Sequence, residues 1–239
     1  MTESVRPPRQ GWQPLIERSI AALPETAVPL ERVWGSSAER AAACAALGRL
    51  LDLVLLWNQR VDLTAARSPE ELVDLYLTDA LVIAACAGPA ANASWIDVGS
   101  GAGAPGLVLQ LLRPELQLTL VEPRSKRVAF LRTAIGQLRL GSKVVGGRSD
   151  GIGGGACDLA VSRATFPPEE WLAEGARLAR RGVWVLLARG PAPSLAGWQP
   201  AIEVDYEWPL TQAPRRALCF TRTSDSAAQP SGRTQPPSA

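Results

Sequence analysis

The chain has 239 residues, 46% of them apolar, with 25 Lys and Arg against 23 Asp and Glu for a formal net charge of +2. That balance suits one large domain, or a domain with a helical extension, and leaves any basic surface a local matter. No histidine occurs, which excludes Ser-His-Asp and Cys-His catalysis, histidine general bases and histidine metal ligands. Cys44, Cys86, Cys157 and Cys219 lie far apart with no CxxC pair; reduced thiols in a cytoplasm are expected, and no metal site. No uninterrupted apolar run reaches the roughly 18 residues of a membrane span, and MTESVRPPRQGW holds no apolar signal core.

Residues 1–35 are rich in proline and arginine, with a weak helical pattern around Pro14–Leu23. Ser36-Ser37-Ala38-Glu39 reads as a capping box opening a helix to about Trp57. Ser68-Pro69-Glu70-Glu71 opens a second helix to about Cys86, with Pro69 at a helix start where proline is tolerated. Residues 36–90 are therefore expected to form a helical extension. The pattern then alternates over 91–223. It predicts strands near 94–98, 117–122, 142–146, 157–162, 182–188, 201–207 and 216–222, and helices near 105–112, 124–139 and 168–180. The last two strands leave almost no room for a helix and should form an antiparallel hairpin at one edge. The tail 224–239, SDSAAQPSGRTQPPSA, has no apolar periodicity and is expected to be disordered.

Short apolar strands alternating with helices imply an α/β, doubly wound, mostly parallel seven-stranded sheet. With a glycine loop after the first strand and a terminal hairpin, this is the Rossmann-like plan of the class I S-adenosylmethionine-dependent methyltransferases. Its ligand would lie at the carboxyl ends of the strands, near the switch in strand order.

The loop is WIDVGSGAGAPG, residues 95–106. Gly101-Ala-Gly103-Ala-Pro-Gly106 also fits the dinucleotide fingerprint, and a tight turn with no ligand is the plainer reading. Asp97, at the strand end before Gly99, Gly101 and Gly103, supplies a carboxylate for an amino-acid ammonium. Glu122, ending the next strand, can accept from ribose hydroxyls, although it can equally be an exposed strand-end acid. Together they favour S-adenosylmethionine over a nicotinamide dinucleotide. Asp150, in GGRSDG, stands where such folds meet an adenine, or is a surface turn residue.

Four motifs in order resemble one family. Leu56-Trp57-Asn58-Gln59 with Asp62-Leu63-Thr64 is similar to W-N-x-x-x-N-L-T, and Asp97 to Gly106 to D-V-G-[ST]-G-x-G-x-P-G. Lys126 to Leu131 is similar to K-R-x-x-F-L, and Ser162-Arg163-Ala164 to S-R-A. This is the RsmG (glucose-inhibited division protein B) family of small-subunit (16S) ribosomal RNA guanine-N7 methyltransferases, resembled over about residues 40–222. The resemblance implies that Gly99 and Ala104 line the methionine end of the cofactor, that Glu122 meets the ribose, and that Ser149 and Asp150 meet the adenine side. Arg163 would lie beside the cofactor and the entering guanine as the catalytic residue; its plainer role is to pair with a nearby acid. Guanine N7 carries a lone pair and no proton, so a chain without histidine can serve by positioning and electrostatics.

Arg124, Lys126 and Arg127 begin a helix at the ligand edge and could contact RNA phosphates, with Arg215 and Arg216 as further candidates. Arg132 and Arg139 are as well explained as a solvated helix face. The family's His-x-x-Asp element is Tyr76-Leu77-Thr78-Asp79 here, with Leu75 where a basic residue often stands. Trp57, Trp95 and Trp184 are expected in the core, while Trp12, Trp34 and Trp198 fall in irregular segments. Cys157 as a nucleophile would sit at the wrong end of its strand. The implied partner is small-subunit ribosomal RNA or a ribosomal particle, met by a cytoplasmic monomer without membrane contact. A nicotinamide-dependent oxidoreductase, or a binding protein that kept the fold without activity, are the alternatives.

Overall fold

The computed structural model describes residues 5–24, 28–87 and 92–223; the tail expected to be disordered lies outside the described residues. Helix α1 (Gln13–Ala21) leads to α2 (Ser37–Asn58) and α3 (Pro69–Cys86). The predicted capping box at Ser36 forms, and Ser68 caps α3 in the same way. The Ser36 side chain accepts from the Glu39 N–H at 3.2 Å, and that of Ser68 from the Glu71 N–H at 3.0 Å. The glutamates reach back to the N–H groups of Gly35 and Arg67. Each cap satisfies helix-end donors and contributes about 1 kcal/mol.

Then follow β1 (Ser94–Val98), α4 (Gly106–Leu112), β2 (Gln117–Glu122), α5 (Ser125–Leu138), β3 (Lys143–Gly146), β4 (Cys157–Ser162), α6 (Pro168–Leu178), β5 (Ala179–Leu187), β6 (Trp198–Trp208) and β7 (Ala213–Arg222). The sheet order is β3-β2-β1-β4-β5-β7-β6. The first five strands are mutually parallel, while β7 runs antiparallel to both β5 and β6. The sequence expectation of a hairpin at one edge holds, with a refinement: the last strand inserts beside β5 and pushes β6 to the edge. Pro200 is tolerated in β6 because an edge strand has a free N–H side, and the register shifts there between Pro200 and Ile202. This is the class I methyltransferase fold.

Alternate strand residues feed two apolar layers. Trp95, Leu118, Leu120, Leu159 and Trp184 pack with α1 to α5, and Ile96, Val98, Val121, Ala160 and Val183 pack with α6. Trp12 belongs to the first layer, and its indole N–H donates to the Asp52 carboxylate at 2.7 Å. The α1 residues Leu15, Ile16 and Ile20 are buried, so the weak pattern seen in the sequence is a packed helix. Helix α2 is long and apolar enough to cross a membrane by length and composition. Here it buries Leu47, Leu50, Leu51 and Val54 in the shared core.

Several boundaries differ from expectation, β7 among them, which starts at Ala213 and not near 216. Helix α6 stops at Leu178, because Ala179 already pairs with Cys157 and starts β5. Trp198, unassigned from sequence, opens β6 and lies under the Arg222 guanidinium.

Asp158, at the start of β4, fastens the amino ends of three strands. It accepts from the Ser94 N–H at 2.9 Å and from its hydroxyl at 2.7 Å, and it pairs with Arg180 at 3.0 Å. The Ser94 backbone N–H first, then the Ser94 hydroxyl and Arg180, pull its pKa down to about 2. A carboxylate lowered in the folded state stabilises it above the unfolded pKa, and that contribution fades as pH falls from about 4 towards 2. Denaturant unfolding of Asp158→Asn across this window is expected to show a flatter acid limb; an unchanged slope would remove the charge from the fastening.

Candidate active site

The loop between β1 and α4 sits at the carboxyl edge of the sheet. Gly99, Gly101 and Gly103 all take positive φ, at 70°, 54° and 87°, and the Ala104–Pro105 peptide is cis. Gly99 is also required by space: a Cβ there would lie 2.2 Å from the Thr165 hydroxyl. At Gly106 the demand is purely one of contact, since a Cβ would meet the Asp97 carboxylate at 2.4 Å and Leu120 at 2.6 Å.

That contact fixes what Asp97 does. It is 1% exposed, and its Oδ2 accepts the Gly106 N–H at 3.1 Å, at the first residue of α4. Burial pushes its pKa up to about 7, against the opposing pull of Arg163 and the Gly106 and Ser100 hydrogen bonds. Expected from sequence to face an ammonium, Asp97 is turned instead to the underside of its own loop. The consequence is chemical. The helix N-terminus that would hold a dinucleotide pyrophosphate is capped by the chain's own carboxylate.

Glu122 is likewise 3% exposed. One oxygen accepts the Gly101 N–H and the other the Arg124 N–H, each at 2.9 Å. It ties the glycine loop to the entrance of α5, and each carboxylate oxygen keeps a lone pair for a further donor.

Two adjoining cavities of about 400 Å³ each open along this edge and meet at Gly99 and Thr165. The first is lined by Val121, Pro123, Ser149, Asp150, Phe166 and Glu174. Ser149 is buried in the turn after β3, whereas Asp150 is exposed beside Arg148 at 3.5 Å. Arg177, which the motifs did not single out, donates from α6 to the Ser149 and Ile152 carbonyls at 2.8 and 2.6 Å and holds this turn in place. Phe166 stacks on Trp171 with ring centroids 6.1 Å apart, so one wall of the cavity is an aromatic face on a rigid base.

The second cavity is lined by Thr64, Tyr76, Ala102, Ala104, Arg127, Arg163, Trp208 and Arg215. Arg163, just past β4, donates through Nη1 to the Leu75 carbonyl and, at 3.3 Å, to Asp79 Oδ2. Asp79 is 1% exposed, and its other oxygen accepts from the Tyr206 hydroxyl at 2.8 Å and the Trp208 indole at 2.9 Å. The pairing of Arg163 with an acid, anticipated as the plainer role, is therefore present, and it aims the arginine at the cavity rather than away from it. Tyr76, at the family's histidine position, donates to the Ala102 carbonyl at 3.0 Å and braces the glycine loop from below. Its burial raises the phenol's pKa, so it stays neutral.

The Trp57-Asn58 motif acts through the backbone. The Asn58 side-chain oxygen accepts from the Leu63 and Thr64 N–H groups at 2.8 and 3.0 Å, which folds the turn that brings Thr64 to the cavity. Arg127 donates to the Asp62 carbonyl of the same turn at 2.9 Å. Arg215 lies 3.7 Å over the Trp208 ring, while Arg216 is paired with Asp205 at 2.7 Å and Glu203 at 3.5 Å. Arg124 and Lys126 stand exposed at the start of α5 and line neither cavity. Cys157 is buried at the amino end of β4, where desolvation pushes its thiol up to about 12, so it presents no thiolate. A further cavity of about 670 Å³, lined by Trp34, Arg49, Leu111 and Leu140, lies at the amino ends of the strands, away from every motif.

A family model described as rRNA small subunit methyltransferase G matches residues 43–195. The chain is 35% identical over 195 residues to the ribosomal RNA small subunit methyltransferase G of Anaeromyxobacter dehalogenans, covering 76% of this chain and 90% of the relative. It is 35% identical over 175 residues to the protein of the same name from Xanthomonas axonopodis pv. citri, covering 72% and 81%. A solved mutant of MtNAS shares the fold, with a TM-score of 0.52 at 16% identity over 87% of this chain and 85% of that one.

Proposed function

The chain belongs to the ribosomal RNA small subunit methyltransferase G family, and from that premise we propose that it transfers a methyl group from S-adenosylmethionine to N7 of a guanine in small-subunit ribosomal RNA. The observation that carries the choice of cofactor is the Asp97 carboxylate on the Gly106 N–H. The Gly106 N–H at the start of α4, which a pyrophosphate would need, is already taken by this carboxyl group, and that favours a ligand without phosphates. In this reading the nucleoside occupies the cavity of Pro123, Ser149, Asp150 and Phe166, with Glu122 beneath the ribose. The amino-acid end passes Gly99 and lies along Gly101, Gly103 and Ala104. A ligand that spans both cavities passes Gly99 and Thr165, which line both.

Bound S-adenosylmethionine supplies a sulfonium-activated methyl group. The chain's own task is to bring a guanine edge to it in line and to exclude water. Guanine N7 has no proton to lose, so no base is required, in keeping with the absence of histidine. Arg163 ties the end of β4 to α3 through one nitrogen, which bonds the Leu75 carbonyl and Asp79. Among the described residues its remaining N–H groups have no protein acceptor, so they are available to the guanine or to the cofactor carboxylate. Arg127 and Arg215 flank the same cavity as RNA contacts, and Arg124 and Lys126 extend them along α5. Arg216, already paired with two carboxylates, contributes less. A target guanosine would leave its stack to enter, at a cost of a few kcal/mol. The reaction belongs in the cytoplasm, where the ribosome is.

Calorimetric titration with S-adenosylmethionine, with NAD in parallel, tests the cofactor. Binding of the former alone is expected; binding of NAD would overturn the reading of Asp97.

A further inference from the structure

Beyond Arg215 the carboxyl edge continues into a separate cavity of about 290 Å³. Its walls are Leu187, Arg189 and Gly190 from the end of β5, Asp205 from β6, and Arg215 and Arg216 from β7. Arg215 lines both this cavity and the one that holds Arg163, so it is the wall between them. Its guanidinium is held there by the Trp208 ring 3.7 Å below and by its own Nη1 donating to the Pro214 carbonyl at 2.8 Å. Trp208 is in turn fixed by its bond to Asp79, the carboxylate that also holds Arg163.

The charges of this 290 Å³ cavity do not cancel. Arg216 is balanced by Asp205 and Glu203. Among the described residues no carboxylate lies within ion-pair reach of Arg189 or Arg215, so the cavity carries two uncompensated guanidinium groups. Arg189 is exposed, in the chain leaving β5, two strands along the edge from the β1 loop. Gly190 beside it takes φ 101°, which leaves backbone without a side chain next to the cationic groups.

We propose that this cavity seats the phosphodiester of the nucleotide adjoining the target guanosine, with Arg189 and Arg215 as its two cationic contacts. The inference rests on the methyltransferase reading above. A base drawn into the Arg163 cavity drags its own backbone along, and the next phosphate must settle within one nucleotide of it. The wall it crosses is Arg215, which lines both cavities and whose planar fork suits phosphate oxygens better than a lysine point charge would. A phosphate contact of this kind sets register and affinity without reading sequence.

The test uses the full chain with unmodified small-subunit RNA, S-adenosylmethionine affinity serving as the control. Arg189→Ala is expected to raise the KM for RNA by about tenfold, and to reduce the slope of log(kcat/KM) against log salt by about one. Cofactor affinity should stay unchanged and kcat should stay within about twofold. Arg189→Lys should recover part of the KM, and Arg189→Glu should exceed the alanine loss. Methylation by Arg189→Ala with the wild-type KM and salt slope would overturn the subsite while leaving the methyltransferase reading intact. A wild-type protein that binds S-adenosylmethionine yet neither binds nor methylates the RNA would overturn both.

Discussion

Arg163→Lys is expected to lower methyl transfer by about 10²- to 10³-fold, the range seen when one preorganised donor is lost from a catalytic site. Lysine keeps a positive charge beside the buried Asp79, so the carboxylate does not become an unpaired charge. Alanine would leave it with Tyr206 and Trp208 alone, at a cost on the order of 3–5 kcal/mol in stability. What lysine cannot reproduce is the fork, in which one nitrogen anchors on Leu75 and Asp79 while the others face the cavity. Steady-state kinetics should therefore show the loss in kcat, while thermal unfolding shifts little. Unchanged turnover would leave Arg163 a purely structural ion pair.

The second large effect is at Gly106. Gly106→Ala would place a Cβ 2.4 Å from the Asp97 carboxylate and 2.6 Å from Leu120, inside a fully buried contact. Overpacking of this kind costs about 1–3 kcal/mol. The displacement would also free Asp97 from the α4 N-terminus and shift the loop that carries Gly99 to Gly103. Urea unfolding should show a lower midpoint with the same slope, and calorimetry should show loss of S-adenosylmethionine binding. Normal affinity with normal stability would mean that the Asp97–Gly106 contact shapes neither.

Much of this arrangement was readable before the structure because its signals are local. The Ser36 box and the Ser68 helix start each span four residues, and both helices begin where those residues place them. The five parallel strands announce themselves as short apolar runs, and the glycine loop follows β1 directly. What the sequence concealed is contact across long separations. Asp79 could be recognised within its motif, but its partners Tyr206 and Trp208 lie 127 and 129 residues away, on a strand whose alternation only says which side faces inward. Arg177 reads as one more charge on an amphipathic helix, yet it holds the Ser149 turn. The α6–β5 boundary was misplaced because Ala179, Arg180 and Arg181 suit a helix as well as a strand, and pairing with β4 decides between them. Asp97 and Glu122 were found as carboxylates at strand ends, as expected. Their orientation under the loop, rather than into solvent, follows from backbone N–H groups that no spacing rule reveals.

The departure at Tyr76 has a structural counterpart. The phenol spans to the Ala102 carbonyl and is fully buried, so this position serves the loop that carries the glycines. Leu75 contributes its carbonyl, not its side chain, to Arg163. Replacing a basic pair by leucine and tyrosine thus leaves both anchors of the site standing.

The most direct measurement is methyl transfer itself. Purified protein would be incubated with methyl-labelled S-adenosylmethionine and unmodified small-subunit ribosomal RNA, and the label then located by nuclease digestion and mass spectrometry. The expected result is label on a single guanosine, at a position that makes the strand cleavable after reduction, as N7 methylation does. Label on another base or another atom, or no label from protein that demonstrably binds the cofactor, would contradict the proposed function.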